Sequence, residues 1–142
     1  MARTVVLLDT GPLVAALSRD DDAHAWAKEQ FQSLEGPFLT CEAIISEACH
    51  LLRRTRGGSG GVLALLDSGA LRIGMDLTSE LTAIRKLHER YRNIPASFAD
   101  VCLVRMSELY EACLVLTLDS DFYVYRRHGR KVIPVLSRGA RK

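Results

Sequence analysis

The hydrophobic residues of this chain form short unbroken runs that alternate with longer segments in which they recur at helical spacing. The runs at 5–8 and 114–118 contain β-branched residues without polar alternation, which is typical of strands buried on both faces. Three shorter strands are predicted at 38–39, 71–73 and 132–135. The last is predicted to be an edge strand, because Pro134 lacks the N–H that a central ladder needs.

Helical spacing predicts helices near 12–18, 22–34, 41–54, 62–66, 79–91 and 98–112. Thr10 is predicted to be the N-cap of the first helix, with Pro12 in its first turn. The glycine-rich segment 57–61 is too short to separate two domains. Strands that alternate with helices pair in parallel and carry helices on both faces. We therefore expect one domain over 1–142, an α/β fold built as a three-layer α/β/α sandwich around a mainly parallel sheet.

Composition places the chain among ordinary globular proteins, since 48% of its 142 residues are hydrophobic and 25% are charged. The apolar run at 5–8 is too short for a signal peptide or a membrane span, so we expect a cytoplasmic protein without membrane contact. The cysteines form no CxxC pair, which favours reduced, mainly buried thiols over zinc ligands. They are Cys41, Cys49, Cys102 and Cys113.

The net charge of +2 hides an uneven distribution. Residues 1–125 hold all 17 acidic residues and 12 of the 19 basic ones, whereas 126–142 hold the other seven basic residues. Those seven are Arg126, Arg127, Arg130, Lys131, Arg138, Arg141 and Lys142. A second basic cluster lies at 53–56. A basic chain end is commonly just solvated, but basic residues of 53–56 and 126–131 also suit the backbone of a polyanionic partner.

Four carboxylates differ from the other acids because each ends or interrupts a hydrophobic segment. Asp9 and Asp119 directly follow the two longest predicted strands. The carboxyl ends of parallel strands form one edge of a sheet, where ligands bind in open α/β folds. Glu47 flanks the apolar stripe of one predicted helix, and Asp100 lies in the first turn of another. Clustered carboxylates repel unless a cation lies among them.

Each acid also has a plainer interpretation when it is taken alone. Asp9 could cap the turn after its strand, and Glu47 could reach solvent from the edge of its helix face. The spacing of Ser97 and Asp100 is that of a capping box. Asp119 lies in a turn of ordinary chemistry. A shared site is favoured because four such acids are spread over the whole chain and two reach the same sheet edge.

A divalent metal would account for such a set of acids. Mg²⁺ and Mn²⁺ prefer hard oxygen ligands, and Mg²⁺ keeps several waters. One or two ions held by carboxylates leave room for a phosphate oxygen and an attacking water, as in-line phosphoryl displacement requires. No Ser-His-Asp or Cys-His pattern competes, since the four histidines are scattered. The residues therefore predict metal-dependent hydrolysis.

Four segments of the chain resemble the PIN-domain family in their order and spacing. They are Leu7-Leu8-Asp9-Thr10-Gly11-Pro12-Leu13-Val14-Ala15, Ser46-Glu47-Ala48, Ala99-Asp100-Val101 and Leu116-Thr117-Leu118-Asp119-Ser120-Asp121-Phe122. Each motif alone is weak, but the ordered combination covers essentially the whole chain. Members of the family are compact α/β/α nucleases. Short single-domain members like this chain resemble VapC-type toxins of toxin–antitoxin pairs.

The resemblance implies a set of acidic site residues: Asp9, Glu47, Asp100 and Asp119 as catalytic metal ligands, with Asp121 as an auxiliary metal ligand. It also implies that Thr10 and Thr117 support the site by hydrogen bonding. The chain departs from many relatives at Ser97, where they carry a further acid, so that the expected charge of the site is lower here.

The sequence hypothesis is an endoribonuclease that uses Mg²⁺ or Mn²⁺ to hydrolyse RNA, with a cognate antitoxin as protein partner and a homodimer as the implied assembly. DNA stays open as a substrate. An alternative is a non-catalytic PIN-like module that binds RNA or protein, which the complete set of acids disfavours. A haloacid-dehalogenase-type phosphatase would need an acid where Gly11 stands. A receiver domain would need an acidic pair after the first strand and a late lysine beside the site, and neither is evident.

Overall fold

The computed structural model describes residues 3–139. The strands of its main sheet are β1 Val5–Leu8, β2 Phe38–Thr40, β3 Leu71–Ile73, β4 Cys113–Thr117 and β7 Val135–Ser137. The short strands β5 Arg126–Arg127 and β6 Lys131–Val132 form a separate antiparallel hairpin. The helices are α1 Thr10–Leu17, α2 His24–Ser33, α3 Glu42–Leu51, α4 Gly60–Ser68, α5 Leu81–Arg90 and α6 Phe98–Leu109, with a 3₁₀ helix at Ser120–Tyr123.

The main sheet has the strand order β3-β2-β1-β4-β7, and all of its strands are parallel. Its central pair, β1 and β4, corresponds to the buried strands predicted at 5–8 and 114–118. Val5 pairs with Cys113 and Leu8 with Leu116, so the two strands end side by side. The backbone N–H of Asp9 continues this pairing by donating to the carbonyl of Leu116 at 3.0 Å.

Alternate residues of β1 face different layers of helices, as the two-residue period of a strand requires. Leu7 packs into one core cluster with Met106 of α6. Leu8 points the other way and packs with Leu13 of α1 and Val62 of α4. All five side chains are fully buried. The predicted three-layer sandwich with a mainly parallel sheet is therefore confirmed.

The N-cap of α1 is Asp9, so the prediction that Thr10 caps this helix is wrong. Asp9 has an extended backbone, whereas Thr10 is already helical, and the Thr10 N–H donates to Asp9 Oδ1 at 2.8 Å. Asp9 is the only residue between the end of β1 at Leu8 and the start of α1 at Thr10. The capping role of Asp9 and its position at the sheet edge thus coincide.

The predicted edge strand at 132–135 is wrong in its extent. Val132 pairs with Arg126 in the β5–β6 hairpin, and the edge strand of the main sheet begins only at Val135. Pro134 lies between the two and contributes only its carbonyl, which accepts from the Val115 N–H at 2.9 Å. A residue without an N–H separates the two ladders at this point.

The predicted helices at 41–54 and 98–112 end earlier than expected, at Leu51 and Leu109. Polar residues that are compatible with a helix follow each buried face, so the pattern alone does not mark the end. All four cysteines are free thiols, and three of them are buried. Within residues 3–139, no helix has both the length and the apolar character to cross a membrane. Arg141 and Lys142 of the basic chain end lie outside the described residues.

Candidate active site

One cavity opens at the carboxyl edge of the central strands, with a volume of about 550 Å³. Its lining residues are Asp9, Thr10, Gly11, Glu47, Leu51, Ser97, Asp100, Leu118 and Asp119. The four main acids predicted from the sequence are all in this set. Among the described residues, the lining contains no lysine, arginine or histidine. We refer to it as the acidic cavity.

Asp9 is the most enclosed of these acids, with 6% of its surface exposed. Its Oδ1 accepts from the Thr10 N–H at 2.8 Å, and its Oδ2 accepts from Thr117 Oγ1 at 2.6 Å. Burial raises the pKa of Asp9 from 3.8 to about 6, and the charges of Asp100 and Asp119 add to the rise. The two hydrogen bonds act in the opposite direction because they favour the ionised form.

Thr117, the last residue of β4, joins the acids of the two central strands. Its buried hydroxyl donates to Asp9 and accepts from the backbone N–H of Asp119 at 2.9 Å. Asp119 is the N-cap of the 3₁₀ helix, since its Oδ1 accepts from the Asp121 N–H at 2.9 Å. One hydroxyl therefore fixes the position of both acids at the sheet edge.

Glu47 reaches the cavity from α3 and is solvent-exposed. Its Oε1 accepts from Thr10 Oγ1 at 2.8 Å, which ties α3 to the first residue of α1. Gly11 allows the start of α1 to approach the end of β4, since a Cβ at this position would lie 3.2 Å from Leu118 Cβ. Close packing of α1 against β4 is thus part of what brings Glu47 and Asp9 to the same cavity.

Asp100 combines the two roles that its sequence position suggests. It completes a capping box with Ser97, whose hydroxyl accepts from the Asp100 N–H at 3.0 Å while Asp100 Oδ2 accepts from the Ser97 N–H at 3.3 Å. The half-buried carboxylate also lines the acidic cavity. Burial raises its pKa, with a further contribution from the charge of Asp119.

Tyr125 is a residue of this region that sequence reasoning missed. Its hydroxyl donates to Asp100 Oδ2 at 2.9 Å, and its ring is fully buried against Phe122 and Tyr91. Burial raises the pKa of the Tyr125 phenol, and the Asp100 carboxylate raises it further, so the hydroxyl stays protonated as a donor. The aromatic residues after the last acid were its only sequence signal.

Asp121 is not among the residues that line the acidic cavity. It is half-buried in the 3₁₀ helix, and its backbone braces the turn, because its carbonyl accepts from the N–H groups of Val124 and Tyr125. The structure therefore brings together four of the five acids predicted for the site and places the fifth beside them.

The PIN domain model matches residues 6–128 of the chain. This chain belongs to the PIN-domain family. The matched range includes all four acids of the cavity and confirms the resemblance found in the sequence. No curated protein sequence matches the chain. The structure is similar to the crystal structure of VapC20 of Mycobacterium tuberculosis, described as a toxin that cleaves the sarcin–ricin loop, with a TM-score of 0.74 and 20% identity. The alignment covers 84% of this chain and 93% of VapC20, which shows that the two share a fold.

The donor set of this PIN domain fits a hard divalent cation. All of its candidate ligands are carboxylate oxygens, and burying ionised Asp9 is costly without a positive partner. Within residues 3–139, no three His, Cys, Asp or Glu side chains are grouped as a ready metal cluster. The acid oxygens are instead held by the hydroxyl groups of Thr10, Thr117 and Tyr125.

Proposed function

We propose that this PIN domain is a metal-dependent endoribonuclease that hydrolyses RNA phosphodiester bonds, and that it is the toxin of a toxin–antitoxin pair. The observation that carries the proposal is the acidic cavity. Acids from four separate segments of the chain line one space at the sheet edge, without a cationic side chain among the described lining residues. Such a space suits a divalent cation together with the phosphate that it would bind.

Asp9, Glu47, Asp100 and Asp119 would hold Mg²⁺ or Mn²⁺, with Asp121 as an auxiliary acid. When bound, the metal supplies a Lewis acid for the phosphate and lowers the pKa of a bound water. The hydroxyls of Thr10, Thr117 and Tyr125 orient three of the acids by donating to one oxygen of each. A carboxylate has more than one acceptor site per oxygen, so these bonds leave lone pairs for a metal.

Two partners follow from the toxin proposal. A cognate antitoxin would cover the acidic cavity, and a basic side chain of the antitoxin would suit its charge. A second copy of the chain would complete a homodimer. The fold shared with VapC20 supports this assignment, and we propose the cytoplasm as the location of the protein.

The test is cleavage of pooled transfer and ribosomal RNA by the purified protein with Mg²⁺, with Mn²⁺ and with a chelator. We expect metal-dependent cleavage that Asp9→Asn and Asp119→Asn each abolish while the circular dichroism spectrum is retained. Asp67→Asn is the matched control, because Asp67 is an exposed acid of α4 that does not line the cavity. Cleavage by both site variants at the wild-type rate would overturn the proposal. Tight RNA binding without any cleavage would favour a non-catalytic binding module instead.

A further inference from the structure

A second cavity, of about 850 Å³, lies where α1 and α3 end. Arg19, Arg54 and Arg56 line it, together with Leu17 at the end of α1 and one acid, Asp20. We refer to it as the arginine pocket. Its lining charges sum to +2, and all three arginines are exposed to solvent. Planar guanidinium groups grouped in this way match the geometry of phosphate oxygens.

The three guanidinium groups of the pocket differ from most other arginines of the chain in their contacts. Within residues 3–139, none of them forms an ion pair or donates a hydrogen bond. The neighbouring Arg53 differs, because its guanidinium donates to the carbonyl of His50. Three free, forked donors at one pocket are available to an anionic ligand.

Two basic residues near the chain end, Arg126 and Arg127, differ from the arginines of the pocket because their guanidinium groups have partners within the fold. Arg126 donates to the carbonyls of Tyr123, Val124 and Tyr125. Arg127 is buried and donates to the carbonyls of Ser107 and Glu111. These two guanidinium groups hold the fold together, so they are not the ones that meet a polyanion. Arg130 and Lys131 of the same stretch are exposed, so only part of the charge at 126–131 is used within the fold.

The arginine pocket and the acidic cavity are joined by the same two helices. Thr10 and Gly11 at the start of α1 line the acidic cavity, and Leu17 at its end lines the arginine pocket. On the other helix, Glu47 and Leu51 line the acidic cavity, and Arg54 of the arginine pocket lies three residues after the end of this helix. A chain of phosphates that enters the acidic cavity therefore reaches the arginine pocket within a few nucleotides.

Leu51 lies between the two sites on α3. It lines the acidic cavity, and 56% of its surface is exposed. An apolar side chain between two sites for phosphate oxygens offers a face against which a nucleobase can pack. The order Glu47, Leu51, Arg54 along the chain corresponds to phosphate, base, phosphate along a nucleic-acid strand.

We infer that the arginine pocket binds backbone phosphates of the same RNA strand that is cleaved at the acidic cavity, and that it positions the strand without reading its sequence. The inference rests on the proposed function, because it takes the substrate to be RNA. An acidic protein segment fits less well, since Leu17 is the one apolar side chain among the described residues named for the pocket and offers little surface for a peptide.

The test uses Arg54→Ala/Arg56→Ala, with Arg85→Ala/Lys86→Ala as the matched control. The control removes two exposed cations that line a separate groove beside α5, so the net charge changes equally. Both pairs are made in an Asp9→Asn background, which removes cleavage, and binding of a mixed-sequence single-stranded RNA is measured at several salt concentrations. We expect the pocket variant to bind about tenfold more weakly and to lose about 1.4 from the slope of log K against log salt, the value for two phosphate contacts. We expect the control to lose less than about half of that slope.

Two further measurements make the outcome decisive. Arg54→Lys/Arg56→Lys keeps both charges and should recover most of the salt slope, whereas a role of these arginines in folding would not follow charge. In the cleaving protein, the pocket variant should raise KM with little change in kcat. If the pocket variant binds RNA as tightly as its parent, or loses affinity only for polyglutamate, the inference fails. Absence of RNA cleavage by the wild-type protein would instead contradict the proposed function.

Discussion

The charged side chains at the two ends of α6 have different partners. Near its end, Arg105 lies between Glu80 and Glu108, with N–O distances of 2.8 and 2.9 Å, and Arg127 donates to the carbonyls of Ser107 and Glu111. At its start, Asp100 shares the acidic cavity with three other acids and is held only by neutral donors. The first arrangement satisfies charge within the fold, whereas the second leaves it for a ligand. One end of α6 therefore contributes ion pairs that stabilise the fold, and the other end contributes a carboxylate to the candidate site.

The largest expected effect comes from removing charge at the start of α6. Asp100→Asn should lower RNA cleavage by about a thousandfold, because the proposed metal site would lose one of its four main carboxylates. Asn keeps an acceptor for the capping box, so the free energy of unfolding measured in urea should change by less than about 1 kcal/mol. Arg105→Gln, at the other end of the helix, is the comparison and should cleave at close to the wild-type rate. Equal loss of cleavage in both variants would contradict the division of roles.

The second prediction removes the hydrogen bonds of Arg127 near the C-terminal end of α6. Arg127→Ala should lower the free energy of unfolding by about 3 kcal/mol, because the buried carbonyl of Ser107 and the part-buried carbonyl of Glu111 lose a charged donor. The folded fraction should keep its cleavage rate. Urea unfolding with cleavage measured on the same samples tests both statements. Arg130→Ala, in the exposed turn of the same hairpin, should change stability by less than about 0.5 kcal/mol. A similar loss of stability in Arg130→Ala would show that the change in net charge, and not the burial of Arg127, causes the effect.

The third prediction concerns pH in metal-free protein. The pKa of Asp9 is raised from 3.8 to about 6, so the folded state binds its proton more tightly than the unfolded state does. The stability that this tighter proton binding contributes is fully present below pH 3.8. It is lost as the pH rises through 6, and the total loss is about 3 kcal/mol. Asp9→Asn should therefore be more stable than wild type at pH 7 and similar at pH 4. Urea unfolding at the two pH values measures this difference, and added Mg²⁺ should reduce it. If the metal-free wild type were more stable than Asp9→Asn at pH 7, the prediction would be wrong.

The smallest effect is expected for Tyr125→Phe, which removes the hydroxyl that donates to Asp100. Loss of one hydrogen bond of about 1 kcal/mol should lower cleavage about fivefold and raise the Mg²⁺ concentration for half-maximal rate. Tyr110→Phe is the matched control, since its hydroxyl donates to the carbonyl of Gly74 outside the acidic cavity. The control should lose stability alone. The same kinetic change in both variants would remove Tyr125 from the group that positions the site.

The sequence predicts this fold well where a local pattern decides the structure. Asp9 and Asp119 end apolar runs, and parallel pairing of such runs is enough to bring both to one sheet edge. The sequence pattern does not predict the role of a side chain whose hydrogen-bond partner is distant in the sequence. Arg127 resembles a solvated charge because Ser107 and Glu111, its acceptors, lie 20 and 16 residues away. Tyr125 is missed for the same reason, since only the packed structure brings its hydroxyl to Asp100.

The bond from Thr117 to Asp9 spans 108 residues and depends on the register of β1 with β4. Because β4 begins at Cys113, a nascent chain that stops before this strand has neither the central strand pair nor Asp119. The link through Thr117 between Asp9 and Asp119 therefore forms only after most of the chain has been made. Under the proposed function, cleavage of RNA would begin together with the closing of the sheet, late in synthesis.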